Sequence, residues 1–227
     1  LLDVKGLQVA IQHQPTLTDI TFTLPQGSIT ALIGHNGAGK STIMKTIMGW
    51  QEKKKGQIHL NHMDQDQHFI PFKRQLAYIP EEPFLLPELT TMQHVQLYGQ
   101  SYQMDEDTFE NRVRMLTETF EINDKLNEYP EALSKGMRQK VQTICALLPD
   151  VSLLLIDEPF MGLDIYATND LLKLLQEKAA KGTSILLTSY QLALVKDLAD
   201  RYMMLTHGKI EEEWIAGFQL FLKITTE

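Results

Sequence analysis

Hydrophobic and polar positions trade places at short range over Asp3 to Ile11 and Ile20 to Leu24, the second run closing at Pro25-Gln26-Gly27. Both stretches predict strands. A third, Ser28 to Ile33, is the most apolar of the three and runs into Gly34-His35-Asn36-Gly37-Ala38-Gly39-Lys40-Ser41-Thr42. Beyond it Ile43, Met44, Ile47 and Met48 recur at helical spacing until Gly49, so the order is strand, glycine loop, helix. A turn at Lys53-Lys54-Lys55-Gly56 precedes two short predicted strands, Gln57 to Leu60 and Leu76 to Ile79. From about Glu81 to Pro149 the strand pattern gives way to helical spacing, as in Phe109, Val113, Leu116 and Phe120. The last helix of this block starts at Ser134, an N-cap residue, and stops before Pro149. Strands then return at Val151 to Ile156, Ser184 to Thr188 and Arg201 to Thr206, separated by helices over Ile165 to Ala180 and Gln191 to Ala199. The alternation predicts an α/β fold with a largely parallel sheet covered on both faces. Residues 1–227 read as one domain: 1–80 and 150–227 form a core, and 81–149 an inserted helical subdomain.

With 227 residues, 43% of them hydrophobic, the chain can bury a substantial core. Twenty-one Lys and Arg against 29 Asp and Glu leave a net charge of −8, which argues against nucleic acid as a partner. Cys145 is the only cysteine, so an internal disulfide and a cysteine zinc cluster are excluded, and a reducing, cytosolic setting is expected. No apolar run reaches the roughly 18 residues of a spanning helix. The sequence starts without Met, which suggests trimmed ends, and its first residues lack the apolar run of a secretory signal.

Gly34 to Ser41 fits G-x-x-x-x-G-K-[ST], the phosphate loop, with a strand before it and a helix after it. Glycines let backbone N–H groups wrap a polyphosphate, and the helix N-terminus adds positive potential. Lys40 neutralises the β and γ oxygens, and the Ser41 hydroxyl holds Mg²⁺. The run Leu153-Leu154-Leu155-Ile156-Asp157-Glu158-Pro159 sets two adjacent carboxylates at the exit of a buried strand, where open α/β sheets bind ligands. Asp157 is placed on the metal. Glu158 is the candidate base that polarises the attacking water. Acidic residues after apolar strands also cap helices, and it is the phosphate loop that favours chemistry here.

Leu133-Ser134-Lys135-Gly136-Met137 followed by Arg138-Gln139-Lys140, the carboxylate strand, and Gly162-Leu163-Asp164 come in an order that resembles the ATP-binding subunits of ABC transporters. The resemblance reaches from the opening strands to Leu205-Thr206-His207-Gly208-Lys209-Ile210, and within the family it is nearest to bacterial Ecs-type exporter ATPases. It implies a P-loop NTPase (RecA-like) core with a mostly parallel sheet, an antiparallel N-terminal β subdomain and an inserted α-helical subdomain. It also implies ATP and Mg²⁺ as ligands, with Gly34, His35, Asn36, Gly37, Ala38, Gly39, Lys40, Ser41 and Thr42 around the nucleotide. Two subunits are expected to pair head to tail, so that Ser134 and Gly136 of one face the γ-phosphate held by the other, with Asp164 in the connecting loop. Lys135 is read as a solvated charge. A separate transmembrane permease is the implied partner, with this chain peripheral on the inner face of the cell membrane. Phe84-Leu85-Leu86-Pro87 to Leu89 either lines a groove for a permease helix or packs in the core.

Four positions depart from the family's pattern. Ile11 stands where an aromatic ring stacks on adenine, which predicts weaker nucleotide binding. Glu81, in Tyr78-Ile79-Pro80-Glu81, replaces a Gln that touches the metal and the water; a carboxylate also ligates Mg²⁺ but cannot donate a hydrogen bond when ionised. Met137 replaces a Gln that ends the common signature. Tyr190, in Thr188-Ser189-Tyr190, replaces a catalytic His, and a neutral phenol there predicts slow hydrolysis. Gln191 could substitute for it, and His207 is read as a surface residue. The function that follows is ATP hydrolysis powering a separate permease. A regulatory subunit with weak turnover and a soluble ABC ATPase outside transport are the alternatives.

Overall fold

The computed structural model describes residues 1–189 and 191–215. Tyr190 therefore lies outside the described residues.

Two sheets carry the architecture. In chain order the elements begin with β1 (Leu2–Ile11), β2 (Gln14–Leu24) and β3 (Ile29–Ile33), then α1 (Lys40–Ile47), β4 (Lys55–Leu60), β5 (Met63–Asp64), α2 (Phe69–Lys73) and β6 (Leu76–Ile79). The helical block follows as α3 (Thr91–Ser101), α4 (Glu106–Thr119) and α5 (Lys135–Leu147), with two short 3₁₀ turns between α4 and α5. The chain then returns through β7 (Leu153–Asp157), α6 (Ile165–Ala180), β8 (Ser184–Thr188), α7 (Leu192–Lys196), β9 (Arg201–Thr206) and β10 (Lys209–Ile215).

The first sheet has the order β2-β1-β4-β5 and is antiparallel; the second has the order β10-β9-β3-β8-β7-β6. Within the second, β3, β6, β7, β8 and β9 run parallel and only β10 is antiparallel. Side-chain parity divides this sheet between two cores. Leu153 and Leu155 of β7, Leu186 of β8 and Leu32 of β3 face α1 and the antiparallel sheet. Leu154, Ile156, Ile185, Leu187, Ala31 and Ile33 face α5, α6 and the helical block. Strands buried on both faces explain why these segments read as unbroken apolar runs.

In the helical block, Val113, Leu116 and Phe120 of the predicted apolar face are buried. Phe109, the fourth, lies against Gly99, where an added Cβ would stand 2.5 Å from the Phe109 ring. Glycine is what lets α3 and α4 approach so closely.

Several boundaries differ from the sequence expectation. β2 begins at Gln14, not Ile20, because Gln12 and His13 adopt positive φ (49° and 66°) and turn the chain into a hairpin pairing Ile11 with Gln14. Pro15 is tolerated because β2 is an edge strand. The helix expected over Gln191 to Ala199 is confined to Leu192–Lys196. Four residues beyond its end, the Asp200 carboxylate and N–H bond the Ile29 backbone at 2.8 Å each and lead the chain into β9. The helix α2 has no counterpart in the sequence expectation; its Pro71 falls in the first turn, where the missing N–H costs nothing.

Candidate functional site

Central, fully buried β3 delivers the chain to Gly34. A Cβ on Gly34 would lie 2.3 Å from the Leu205 carbonyl oxygen, and one on Gly39 would lie 2.6 Å from Leu17 Cδ2. Close approach to backbone thus demands glycine at Gly34, and a φ of +110° favours it at Gly39. Gly37 meets nothing within 4 Å and is required only by its φ of +80°, so the loop is open on that side. No side chain caps α1, and no acidic residue occupies its first turn. Its leading N–H groups therefore favour an anion. Lys40 is buried, with Nζ donating to the Gly34 carbonyl at 2.7 Å and the His35 carbonyl at 3.2 Å. Burial holds the ammonium pKa below its ordinary value, against the raising effect of Glu158, Asp157 and Glu81. Ser41 and Thr42 follow in the first turn of α1, both half-buried.

Asp157 and Glu158 are each only 3% exposed. The Thr188 hydroxyl donates to Asp157 Oδ1 at 2.6 Å and accepts from the Glu158 N–H at 3.2 Å. The Tyr78 hydroxyl lies 3.4 Å from Asp157 Oδ2, and burial followed by the Asp157 charge raises its pKa. Glu158 has a φ of 51°, a conformation a non-glycine residue adopts at a cost of about 1–3 kcal/mol, typical of functional sites. Thr188 and Tyr78 were missed as site residues. The pairing of Asp157 with Thr188 across β7 and β8 is the signal that finds Thr188.

Ser134 caps α5, its Oγ accepting from the Met137 N–H at 3.2 Å. Gly136 lies so close to the Gly162 carbonyl oxygen that a Cβ would come within 2.5 Å. Two ion pairs brace this corner: Lys135 with exposed Glu82 at 2.7 Å, and Lys140 with Asp164 at 2.9 Å. Lys135 is thus paired, not merely solvated. Asp164 also caps α6 through the Ala167 N–H at 2.8 Å, and that bond, with Lys140, lowers its pKa.

The phosphate loop, Asp157, Glu158 and Glu81 are thus close enough for Lys40 to feel all three carboxylates, and Gly136, two residues after the Ser134 cap, stands against Gly162. Ile11 closes β1 and is 41% exposed. Glu81 and His35 are exposed, and so is His207, whose ring stands against that of His35. The donors available to a metal are hard oxygens, from Ser41, Asp157 and Glu81, which suit Mg²⁺ completed by water and phosphate.

Residues 17–161 match the ABC transporter family profile, a span that includes both the phosphate loop and the carboxylates. The chain belongs to the ABC transporter family. It is 39% identical over 210 residues to the ABC-type transporter ATP-binding protein EcsA of Bacillus subtilis, covering 92% of this chain and 85% of that protein. A solved ATP-binding subunit of an ABC transporter superposes with a TM-score of 0.93 at 37% identity over the full length of both chains. The fold is shared too with MJ0796, a dimeric ATP-binding cassette bound to ADP and Pi, at a TM-score of 0.85 and 20% identity over 96% of this chain and all of that one. As an ABC transporter ATP-binding subunit, the chain is an ATPase. Among the described residues no helix is long and apolar enough to cross a membrane.

Proposed function

We propose that this chain hydrolyses Mg-ATP at the Gly34–Thr42 loop and uses the cycle to drive a separate transmembrane permease. The observation that carries the site assignment is the buried Asp157–Glu158 pair, oriented by Thr188 and felt by Lys40. Loop amides and Lys40 hold the β- and γ-phosphates. Ser41, Asp157 and Glu81 hold Mg²⁺, which screens the phosphate charge when bound. Glu158 accepts the proton of the attacking water. Ile11 packs on the base without stacking, and Tyr190 in place of an imidazole makes turnover slow.

Two copies pair head to tail, Ser134 and the N–H groups that open α5 reaching the γ-phosphate held by the other copy. The dimeric MJ0796 cassette, which shares the fold, supports this reading. Residues 81–149 act as a signature subdomain on a core of 1–80 and 150–227. The loop after Glu81 forms part of the permease groove: Phe84 and Leu86 are 71% and 38% exposed while Leu85 packs on the core. The His94 ring fixes that loop, Nε2 accepting from the Leu86 N–H at 2.8 Å and Nδ1 lying 2.8 Å from the Thr90 carbonyl oxygen. Docked there, the chain lies at the inner face of the membrane.

Titration calorimetry with Mg-ATP tests the nucleotide site: the parent chain saturates, and Lys40→Ala loses binding. Glu158→Gln keeps binding but abolishes phosphate release. Release at the parental rate from Glu158→Gln overturns the role of Glu158.

A further inference from the structure

His35, in the phosphate loop, and His207, in the turn between β9 and β10, are remote in sequence, yet their ring centroids lie 5.3 Å apart with planes tilted by 56°. Both side chains are exposed to solvent. His35 Nδ1 lies 2.8 Å from the Asn36 carbonyl oxygen. A carbonyl only accepts, so Nδ1 carries the proton, and in the neutral ring the lone pair sits on Nε2. Metal-ligating histidines are held this way, one nitrogen on a carbonyl and the other on the ion. Two imidazoles that share a tetrahedral ion at about 2.0–2.1 Å from each nitrogen keep their ring centres about 5 Å apart. The 5.3 Å between these ring centres is close to that spacing.

The backbone beneath both rings is pinned. The Thr18 N–H donates to the Gly208 carbonyl at 2.9 Å, and a Cβ on Gly208 would lie 2.2 Å from the Thr16 carbonyl oxygen. On the other side, Gly34 is pressed on the Leu205 carbonyl. Positions set by backbone packing make a site that needs little reorganisation on binding.

We propose that His35 and His207 form a two-imidazole site for a borderline divalent transition ion such as Zn²⁺, with water completing the coordination. Imidazole selects Zn²⁺, Cu²⁺ or Ni²⁺ over Mg²⁺, so this pair is chemically separate from the oxygen donors of Asp157 and Ser41. Among the described residues no group of three or more His, Cys, Asp or Glu is gathered around a common point, so the ion is held by two protein ligands and exchanges readily. Bound there, it straps the opening of the phosphate loop to the β9–β10 turn.

The test is calorimetric titration of the nucleotide-free full chain with Zn²⁺ in excess Mg²⁺. One ion per chain is expected. His207→Asn, which keeps a residue tolerant of the turn's positive φ of 47°, weakens binding by at least about tenfold, as does His35→Ala. His62→Ala, at an exposed turn elsewhere, leaves binding unchanged. Electron paramagnetic resonance of the Cu²⁺ form shows two nitrogen ligands in the parent and one in His207→Asn. Parental Zn²⁺ affinity and stoichiometry in His207→Asn, or no saturation of the parent at millimolar Zn²⁺, overturns the proposal. Either result leaves the nucleotide site standing, since no nucleotide is present.

Discussion

At Asp157 one carboxylate oxygen takes the Thr188 hydroxyl and the other faces the Tyr78 hydroxyl, while the same Thr188 oxygen receives the Glu158 N–H. A single hydroxyl therefore holds the Asp157 carboxylate and the Glu158 backbone together. Thr188→Val keeps the shape and removes the donor to Asp157 Oδ1, leaving that buried oxygen unserved at a cost of about 1–3 kcal/mol, while the Glu158 N–H keeps the Thr188 backbone carbonyl at 3.3 Å. Phosphate release should fall and thermal unfolding should move to lower temperature, both readable on one preparation. Ile11 makes a second prediction at this scale. A tyrosine in its place adds stacking of about 0.5–1.5 kcal/mol, so Ile11→Tyr should tighten ATP by about two- to tenfold in equilibrium titration. An unchanged dissociation constant removes Ile11 from the site.

For the helices, the first turn decides most of what can be tested. Ser134 is legible from sequence because an N-cap needs only a hydroxyl ahead of an apolar-periodic run, and its Oγ does accept from Met137. Ser134→Ala should cost about 0.5–2 kcal/mol of stability, measured by urea unfolding, and Ser134→Thr should restore most of it. Asp164 caps α6 in the same manner, and its folded pKa is depressed by the Ala167 N–H and Lys140. A depressed carboxyl pKa stabilises the fold above the unfolded value of about 3.9, and the contribution is lost as pH falls through the folded value. Asp164→Asn should therefore narrow its stability gap to the parent only below about pH 4, read from unfolding midpoints across an acid series. The elements that escaped the sequence are those without a period of their own. β5 has two residues and exists through its pairing with β4, and α2 hides behind Pro71.

At the scale of the whole molecule, the proposed nucleotide site draws on two parts of the chain. The phosphate loop and carboxylates gather at the ends of β3 and β7, while Ser134 caps α5 and Gly136 packs on Gly162. In the proposed arrangement the phosphate loop holds one face of a nucleotide and the N-terminus of α5 meets the γ-phosphate held by the other copy. Glu158→Gln, bound to Mg-ATP but unable to turn over, should accumulate as a dimer in light scattering and revert to monomer with ADP. A monomer under saturating ATP would count against the head-to-tail pairing.

Motif residues and local periods depend on chemistry between near neighbours, which is why the phosphate loop, the carboxylate pair, the Ser134 cap and the bounds of β6, β8, β9 and α6 could be read directly. Strand order, the split of β7 into two cores and the reach of β2 to Gln14 come from contacts between segments far apart in the chain. Thr188 against Asp157, Lys135 against Glu82 and His207 against His35 belong to that second kind. No residue beside them in sequence signals these pairs, because each requires a crossover or a sheet to be closed before the side chains meet.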